Sequence, residues 1–183
     1  ILPYDRPMTL FRHTVRLAVP AMLENLFISM VFLVDTLMVA RLGPAQLAAA
    51  GMAGVVMWRL VSMAGSLRIG IGAATARRWG EGNFDYGCRL LTHGLVLGVG
   101  AGLICLLVLP FARLMFYGMN ARGDVLDHVV PYFSIVALGL PLRLASINIA
   151  SSIRSAGNTR TPMTITFSTN IVNVALNYVL IFG

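Results

Sequence analysis

The sequence has little charge and no lysine. Only 11% of its 183 residues are Asp, Glu, Lys or Arg, and all fourteen basic residues are Arg. Because a soluble domain carries about a quarter charged residues, this composition excludes an ordinary water-soluble protein and indicates an integral membrane protein. The net charge of +7 does not point to nucleic acid, since the Arg residues are scattered at the ends of apolar runs rather than clustered with aromatics.

Residues for metal, redox or enzyme chemistry are scarce as well. Cys88 and Cys105 have neither metal nor redox spacing, and the three His residues stand at scattered positions. The sequence has no Ser/His/Asp pattern and no phosphate-binding loop, so no residues support an enzyme. We expect no cofactor, and packing roles for the two cysteines.

Apolar runs long enough to cross a bilayer dominate the rest. A crossing needs about 20 residues, and the runs predict an all-α, polytopic transmembrane helix bundle. After a cytoplasmic lead-in at 1–13, the predicted spans cover roughly 14–40, 45–74, 88–114, 128–150 and 161–183. Five spans put the two ends on opposite sides of the membrane. Eight Arg residues in the connections fall on the amino-terminal side and three on the other, so the positive-inside rule places the amino terminus in the cytoplasm.

Small residues predict how some helices end and pack. Gly43 and Pro44 suit a tight connection between the first two spans, and Thr161 before Pro162 reads as the N-cap of the fifth, with Pro162 as its first helical residue. Gly94, Gly98 and Gly102 fall four apart, which predicts close helix contact rather than a binding site.

The first span carries two carboxylates inside apolar sequence. Glu24 and Asp35 are eleven positions apart, which places them on one helical face roughly 16 Å apart along the axis. An Asp at the centre of a span costs about 2.5 to 3.5 kcal/mol, so such a residue usually faces a cavity or a partner. Pro20, one turn before Glu24, can bend the helix. The pattern favours an ion or proton site; the alternative is a helix end whose acids reach water. Arg59 could pair with one of these acids, reach an aqueous cavity or lie at a helix end.

The fifth span has a polar stripe. Thr166, Asn170, Asn173 and Asn177 follow one another at offsets of four, three and four, which keeps them on one face. Amides on a membrane helix need partners, so this face should lie against protein or water. Each Asn could simply bridge two helices. Taken with the acidic stripe, however, carboxylate, amide and hydroxyl oxygens suit Na⁺ or a protonatable site held by amides.

Several segments resemble the multidrug and toxic compound extrusion (MATE) transporters. LAVPAMLENLF…LVDTLMVARLG resembles the first helix of that family, and GIGAATARRWGEGN the end of its second. RSAGNTRTPM…NIVNVALNYVLIFG resembles its fourth-to-fifth connection and fifth helix. The resemblance implies five spans of a six-helix MATE-type amino-terminal lobe, within a transporter of twelve helices in two lobes. The chain starts at Ile1 and stops directly after an apolar run, so we expect a segment of a longer protein.

The resemblance also implies a function. Members of this family exchange Na⁺ or H⁺ for cationic, amphiphilic compounds by alternating access. The implied partners are such small molecules, the lipid of a bacterial inner membrane, and the missing sixth helix and second lobe. Apart from the coupling ion, no cofactor is implied.

By resemblance, Asp35 matches the cation-site acid of the first helix, and Pro20 the proline where that helix bends. In some prokaryotic relatives the fifth helix has an Asn and, four residues later, an Asp. Asn173 and Asn177 occupy those positions here, so the second acid is missing.

We therefore assign the coupling site, including any bound Na⁺, to Asp35, Asn173 and Asn177. Glu24, Asn170 and Thr166 are assigned as additional cavity residues.

Two other functions stay open at this stage. One is a flippase for lipid-linked oligosaccharides, from the same broad superfamily. The other is a non-transporting membrane subunit or fragment, whose polar stripes merely hold helices together.

Overall fold

Helices account for every regular element that the structure, a computed structural model, describes between residues 7 and 182. In chain order they are α1 (Pro7–Ala40), α2 (Pro44–Gly65), α3 (Leu67–Gly80), α4 (Phe84–Cys105), α5 (Ala112–Gly118), α6 (Asp124–Leu138), α7 (Leu140–Ser155) and α8 (Arg160–Phe182). A short 3₁₀ helix, Leu106–Phe111, joins α4 to α5. The predicted all-α class is confirmed.

The chain divides into two units. The first contains α1 as far as Asp35, together with the segment from Gly157 onward that includes α8. The second runs from Thr36 to Ala156 and contains α2 to α7.

In the part of the chain that the structure describes, three stretches are long and apolar enough to cross a membrane: Thr14–Ala40, Pro44–Gly80 and Phe84–Gly118. The pair α6 and α7, bent by 48°, makes a fourth if it is counted as one span. Among the described residues, α8 is not one of these stretches. Its 23 residues extend about 34 Å, longer than a hydrocarbon core of about 30 Å. The fifth span therefore stays a prediction.

The predicted lead-in lies partly outside the described residues, which exclude 1–6. From Pro7 the chain is already helical and continues into the first span without a break. Proline is favoured at the first helical position because its missing N–H would have no partner there.

Breaks interrupt three of the predicted spans, each at a residue that disfavours a continuous helix. Ser66 follows Gly65 and separates α2 from α3, and Gly/Ser pairs are common kink sites. Pro110 lies in the 3₁₀ segment, where its ring removes an amide donor and opposes α-helical hydrogen bonding. Gly139 separates α6 from α7, with Pro141 in the first turn that follows.

Turn and capping residues at the helix ends determine the connections between helices. Gly43 has a φ of 132° and Pro44 begins α2, which is the tight connection predicted for this point. Asn83 accepts a hydrogen bond from the backbone N–H of Tyr86 at 3.2 Å and starts α4. The prediction that Thr161 caps α8 is wrong: the helix begins at Arg160, and the Thr161 N–H instead donates to Oδ1 of Asn158 at 3.1 Å.

Close contact between α4 and α7 forms part of the second unit. A Cβ added to Gly98 would lie 2.6 Å from the Cα of Ala145, and one on Gly102 would collide with Pro141. Nearby, Asn148 donates a buried hydrogen bond to the carbonyl of Gly94 at 3.0 Å. The glycine ridge is therefore a packing surface, as predicted, and the polar group buried beside it is paired.

Candidate functional site

The polar faces of α1 and α8 meet along a ladder of three hydrogen bonds within the first unit. From one end to the other, the bonds join Thr166 to Glu24, Asn170 to the backbone of Phe27, and Asn177 to Asp35. The two partners of each bond differ by 142 or 143 positions. Since this offset stays constant while both residue numbers rise, the two helices run parallel and in register.

At one end of the ladder, Asp35 and two asparagines form a cluster. Nδ2 of Asn177 donates to Oδ1 of Asp35 at 2.7 Å and to Oδ1 of Asn173 at 3.2 Å. All three side chains are partly buried. The structure thus brings together the three residues predicted to form the coupling site.

The orientation of Asn177 differs from what the hard-ligand argument assumed. Hard-ligand chemistry requires amide oxygens around the carboxylate, but Asn177 presents its nitrogen, placed between an oxygen of Asp35 and an oxygen of Asn173. An NH₂ group with two donors is well suited to two acceptors. The cluster therefore contains two oxygens around one donor. A cation could take the place of that donor if the side-chain amide of Asn177 flipped and presented its oxygen.

At the other end, Glu24 is only 7% exposed. Thr166 donates to its Oε1 at 3.4 Å, a long hydrogen bond. Pro20, one turn earlier, is also buried. It lies inside the continuous helix α1, where the missing N–H leaves the carbonyl of Arg16 without its usual intrahelical donor.

Between the two acids, Asn170 donates to the carbonyl of Phe27 at 3.0 Å. Beside this bond, the rings of Phe27 and Phe167 lie 5.1 Å apart at an interplanar angle of 48°. Neither phenylalanine was predicted from the sequence, because a single Phe among apolar residues has no distinguishing pattern. The available signal was positional: Phe27 is three residues after Glu24 and Phe167 is three before Asn170, so each borders the polar face of its helix.

The remaining candidates lie elsewhere. Arg59 is exposed, with its guanidinium carbon 5.4 Å from the ring of Trp58. Cys88 and Cys105 are free thiols. Among the side chains that the structure describes, His, Cys, Asp and Glu form no group of three that could hold a metal ion.

Comparison with known sequences gives consistent relatives. The MatE family profile matches residues 20–179. The whole chain is 25% identical to the probable multidrug resistance protein NorM of Thermotoga maritima and covers 39% of it. It is 27% identical to the multidrug resistance protein PmpM of Pseudomonas aeruginosa, over 100% of this chain and 39% of PmpM. It is also 27% identical to the DNA damage-inducible protein F of Escherichia coli, over 91% of this chain and 37% of that protein. The chain thus spans about two-fifths of the length of these relatives.

Comparison with solved structures agrees with the sequence relatives. A multidrug resistance MATE family transporter of the MOP superfamily, in an outward-facing conformation, superposes with a TM-score of 0.85 at 25% identity. A MATE crystal structure in the bent conformation gives a TM-score of 0.83 at 25% identity. Each alignment covers 93% of this chain and 38% of the other.

NorM and PmpM are named as multidrug resistance proteins and the outward-facing structure as a MATE family transporter, so the flippase alternative is not favoured. Because the family profile matches well over half of the chain, the chain belongs to the MatE family of multidrug and toxic compound extrusion transporters.

Proposed function

We propose that the complete protein containing this chain is a cation-coupled antiporter that exports amphiphilic, cationic compounds by alternating access. The chain supplies helices of the amino-terminal lobe. Asp35 is the coupling carboxylate, and Asn173 and Asn177 are its partners.

The observation that carries this proposal is the cluster in which Asn177 links Asp35 to Asn173. A carboxylate within a helix of membrane-spanning length has to be compensated, and here the compensation comes from neutral amides. An arginine partner would neutralise Asp35 permanently. Amide partners leave its charge available, so that a proton or Na⁺ can bind and leave during a cycle.

The same cluster suggests how ion binding changes the protein. Ionised Asp35 accepts the hydrogen bond from Asn177. A proton removes the charge that strengthens this hydrogen bond and, if it sits on Oδ1, turns that oxygen into a donor, whereas Na⁺ needs an oxygen ligand where Asn177 now presents nitrogen. Either ion therefore weakens, breaks or reverses the hydrogen bond between Asp35 on α1 and Asn177 on α8. Transport requires that the two conformations differ in their affinity for the ion, and this contact is one place where that difference can arise.

The geometry at the Glu24 end of the ladder supports a role for its polar residues in lining the substrate cavity. Glu24, Thr166 and Asn170 extend the polar face away from Asp35. A negative charge here would attract a cationic substrate. Pro20, directly before this region, gives α1 a position where it can bend.

Location in a bacterial inner membrane, with the amino terminus in the cytoplasm, is part of the same proposal. The apolar helices and the bacterial relatives support the first statement. The excess of Arg on the amino-terminal side supports the second.

Replacing Asp35 by Asn in the complete transporter tests the proposal. Asn keeps the size of the side chain and one acceptor oxygen but cannot gain and lose a proton or bind Na⁺ as an anion. We expect coupled efflux of a fluorescent cationic dye from energised cells to fall at least roughly tenfold, within the 5- to 150-fold range of typical coupling between sites. Membrane insertion, measured by the amount of protein in the membrane fraction, should be unchanged.

Asp127→Asn is the matched control. Asp127 is an exposed acid in the first turn of α6, so the same chemical change there should leave efflux near the wild-type rate. Wild-type efflux by Asp35→Asn at equal expression would contradict the proposal.

A further inference from the structure

A groove lies between α3 and α4 at the end where these two helices are joined. Its volume is about 370 Å³. Its lining has an apolar part and a polar part, formed respectively by Ala73, Ala74 and Leu90, and by Arg77, Arg78 and Tyr86. All six residues belong to the second unit, so the groove is distinct from the Asp35 cluster.

The polar part has an excess of positive charge. Nε of Arg77 donates to Oε1 of Glu81 at 3.0 Å, and Nη1 of Arg78 donates to Oε2 at 2.9 Å. These hydrogen bonds lower the pKa of the Glu81 carboxyl, which therefore stays ionised at neutral pH. One carboxylate thus faces two guanidinium groups. A guanidinium has five N–H donors, and in the described contacts each Arg uses one of them on Glu81.

Arg78 is also positioned by an aromatic ring. Its guanidinium carbon lies 4.8 Å from the centroid of the Tyr86 ring, which is within the range of a cation–π contact. The backbone of Tyr86 is held in turn by the Asn83 cap at the start of α4. Two separate elements therefore orient the cation.

The groove lies at the ends of two spans. α3 completes the stretch Pro44–Gly80, and α4 begins the stretch Phe84–Gly118. The rings of Trp79 and Phe84 pack edge to face at 5.1 Å beside this turn. Trp and Tyr are enriched where a span meets the headgroups.

The polar and the apolar part of the groove therefore lie at different depths along the two spans. Arg77 and Tyr86 lie near the ends of their spans, while Ala74 and Leu90 lie about one turn further along each span. The small side chains of Ala73 and Ala74 leave room beside α3.

We propose that this groove binds an anionic phospholipid, with the phosphate at Arg77 and Arg78 and the start of an acyl chain along Ala73, Ala74 and Leu90. The charge complements a phosphate, and the apolar wall continues in the direction that an acyl chain takes. A free phosphate would leave that wall uncovered. A cationic compound would be repelled by the two Arg residues. Basic pockets between helices are known to hold anionic headgroups.

Native mass spectrometry of the complete transporter in detergent tests this proposal. The probes are phosphatidylglycerol, phosphatidylcholine with the same acyl chains, and inorganic phosphate. We expect phosphatidylglycerol to bind at least roughly fivefold more tightly than phosphatidylcholine, and Arg77→Gln and Arg78→Gln each to weaken it about fivefold. Rising salt should reduce the preference.

Two further variants are informative. One distinguishes binding of the acyl chain from binding of the headgroup, and the other distinguishes binding in the groove from attraction to general surface charge. Ala74→Phe fills the apolar part and should weaken phosphatidylglycerol binding while both Arg residues remain. Arg89→Gln removes an exposed Arg of α4 that lies outside the groove lining and should have less than a twofold effect. Unchanged melting temperatures will show that the variants are folded, and Arg77→Gln carries the headgroup test if Arg78→Gln is not.

Three results would overturn the proposal. The first is equal binding of the two lipids. The second is an equal loss from Arg89→Gln, which would mean general surface charge. The third is competition by millimolar inorganic phosphate together with no effect of Ala74→Phe, which would mean a phosphate site without a lipid. The Asp35 variants do not bear on any of these results, so this proposal and the transport function can fail separately.

Discussion

Asn177 is the residue on which the proposed site depends most. Its single amide nitrogen contacts both Asp35 and Asn173, so it connects the acid of α1 to the rest of the stripe on α8. Removing this amide would leave a carboxylate in apolar surroundings without its closest described donor. Changing it to an acid would instead add a second hard ligand.

We predict that Asn177→Asp increases stabilisation of the complete transporter by Na⁺. Two carboxylates and the oxygen of Asn173 form a better set of hard ligands than one carboxylate. A ligand that binds only the folded state raises stability as its concentration exceeds its dissociation constant. The melting temperature should therefore rise by a few degrees more in NaCl than in choline chloride of the same ionic strength.

Asn120→Asp makes the same chemical change in the connection before α6, where it should add no Na⁺ effect. An Asn177→Asp protein whose melting temperature responds identically to the two salts would contradict the assignment of this cluster to the ion.

Glu24, at the other end of the ladder, is almost fully buried. Glu24→Gln keeps an oxygen that can accept from Thr166 but removes the charge. We expect the KM for a monovalent cationic substrate to rise about fivefold, since a pair of unit charges 4 Å apart in water is worth about 1 kcal/mol. Transport assays with a cationic dye and a neutral analogue will measure this, and an equal change for both compounds would rule out an electrostatic role.

At the scale of elements, the contact of α4 with α7 shows how glycine spacing sets helix distance. Gly98 and Gly102 lie against backbone atoms of α7, which have no rotamer freedom to move aside. Gly100, on the same helix, has no atom within 4 Å of the position where its Cβ would be. The two kinds of glycine differ only in the face on which they lie.

We predict that Gly98→Ala destabilises the protein by about 1–3 kcal/mol, the usual cost of adding atoms to a well-packed contact. Gly100→Ala is the matched control, and it should be neutral or stabilising by up to about 1 kcal/mol because Ala favours helix. Unfolding of the two variants in mixed micelles provides the measurement. Equal stabilities would show that α4 and α7 do not pack closely in the folded protein.

At the scale of the whole molecule, the chain covers 39% of its NorM relative from Thermotoga maritima. Alternating access in transporters built from repeats requires one half to rock against the other around a site between them. Under the proposed function, the ladder between α1 and α8 contributes polar groups to such a site, and the other lobe contributes its counterpart.

We therefore predict that these 183 residues expressed alone give no drug efflux. In a strain lacking its own efflux pumps, cells with the segment should accumulate a cationic dye as fast as cells with an empty vector. The complete transporter at matched expression should slow accumulation. Robust efflux by the segment alone would refute the view that two lobes are needed.

The sequence by itself determined several features of the protein. Low charge and long apolar runs indicated a membrane helix bundle, because the free energy of burying charge in lipid restricts such runs to spans. The helical period placed Glu24 and Asp35 on one face of the first helix, and placed Asn170, Asn173 and Asn177 on one face of the last. The glycines four apart predicted a packing surface. Each of these features depends on the composition or the spacing of residues within a single helix.

Only the tertiary structure decided which residues of different helices meet. The pairing of Asp35 with Asn177 rather than Asn170 depends on the axial offset of two helices that are more than a hundred residues apart in sequence. The breaks at Ser66 and Gly139 likewise required the fold, since Gly and Ser are tolerated within many membrane helices. A period places a side chain on a face, but the partner is chosen by packing over the whole length of both helices.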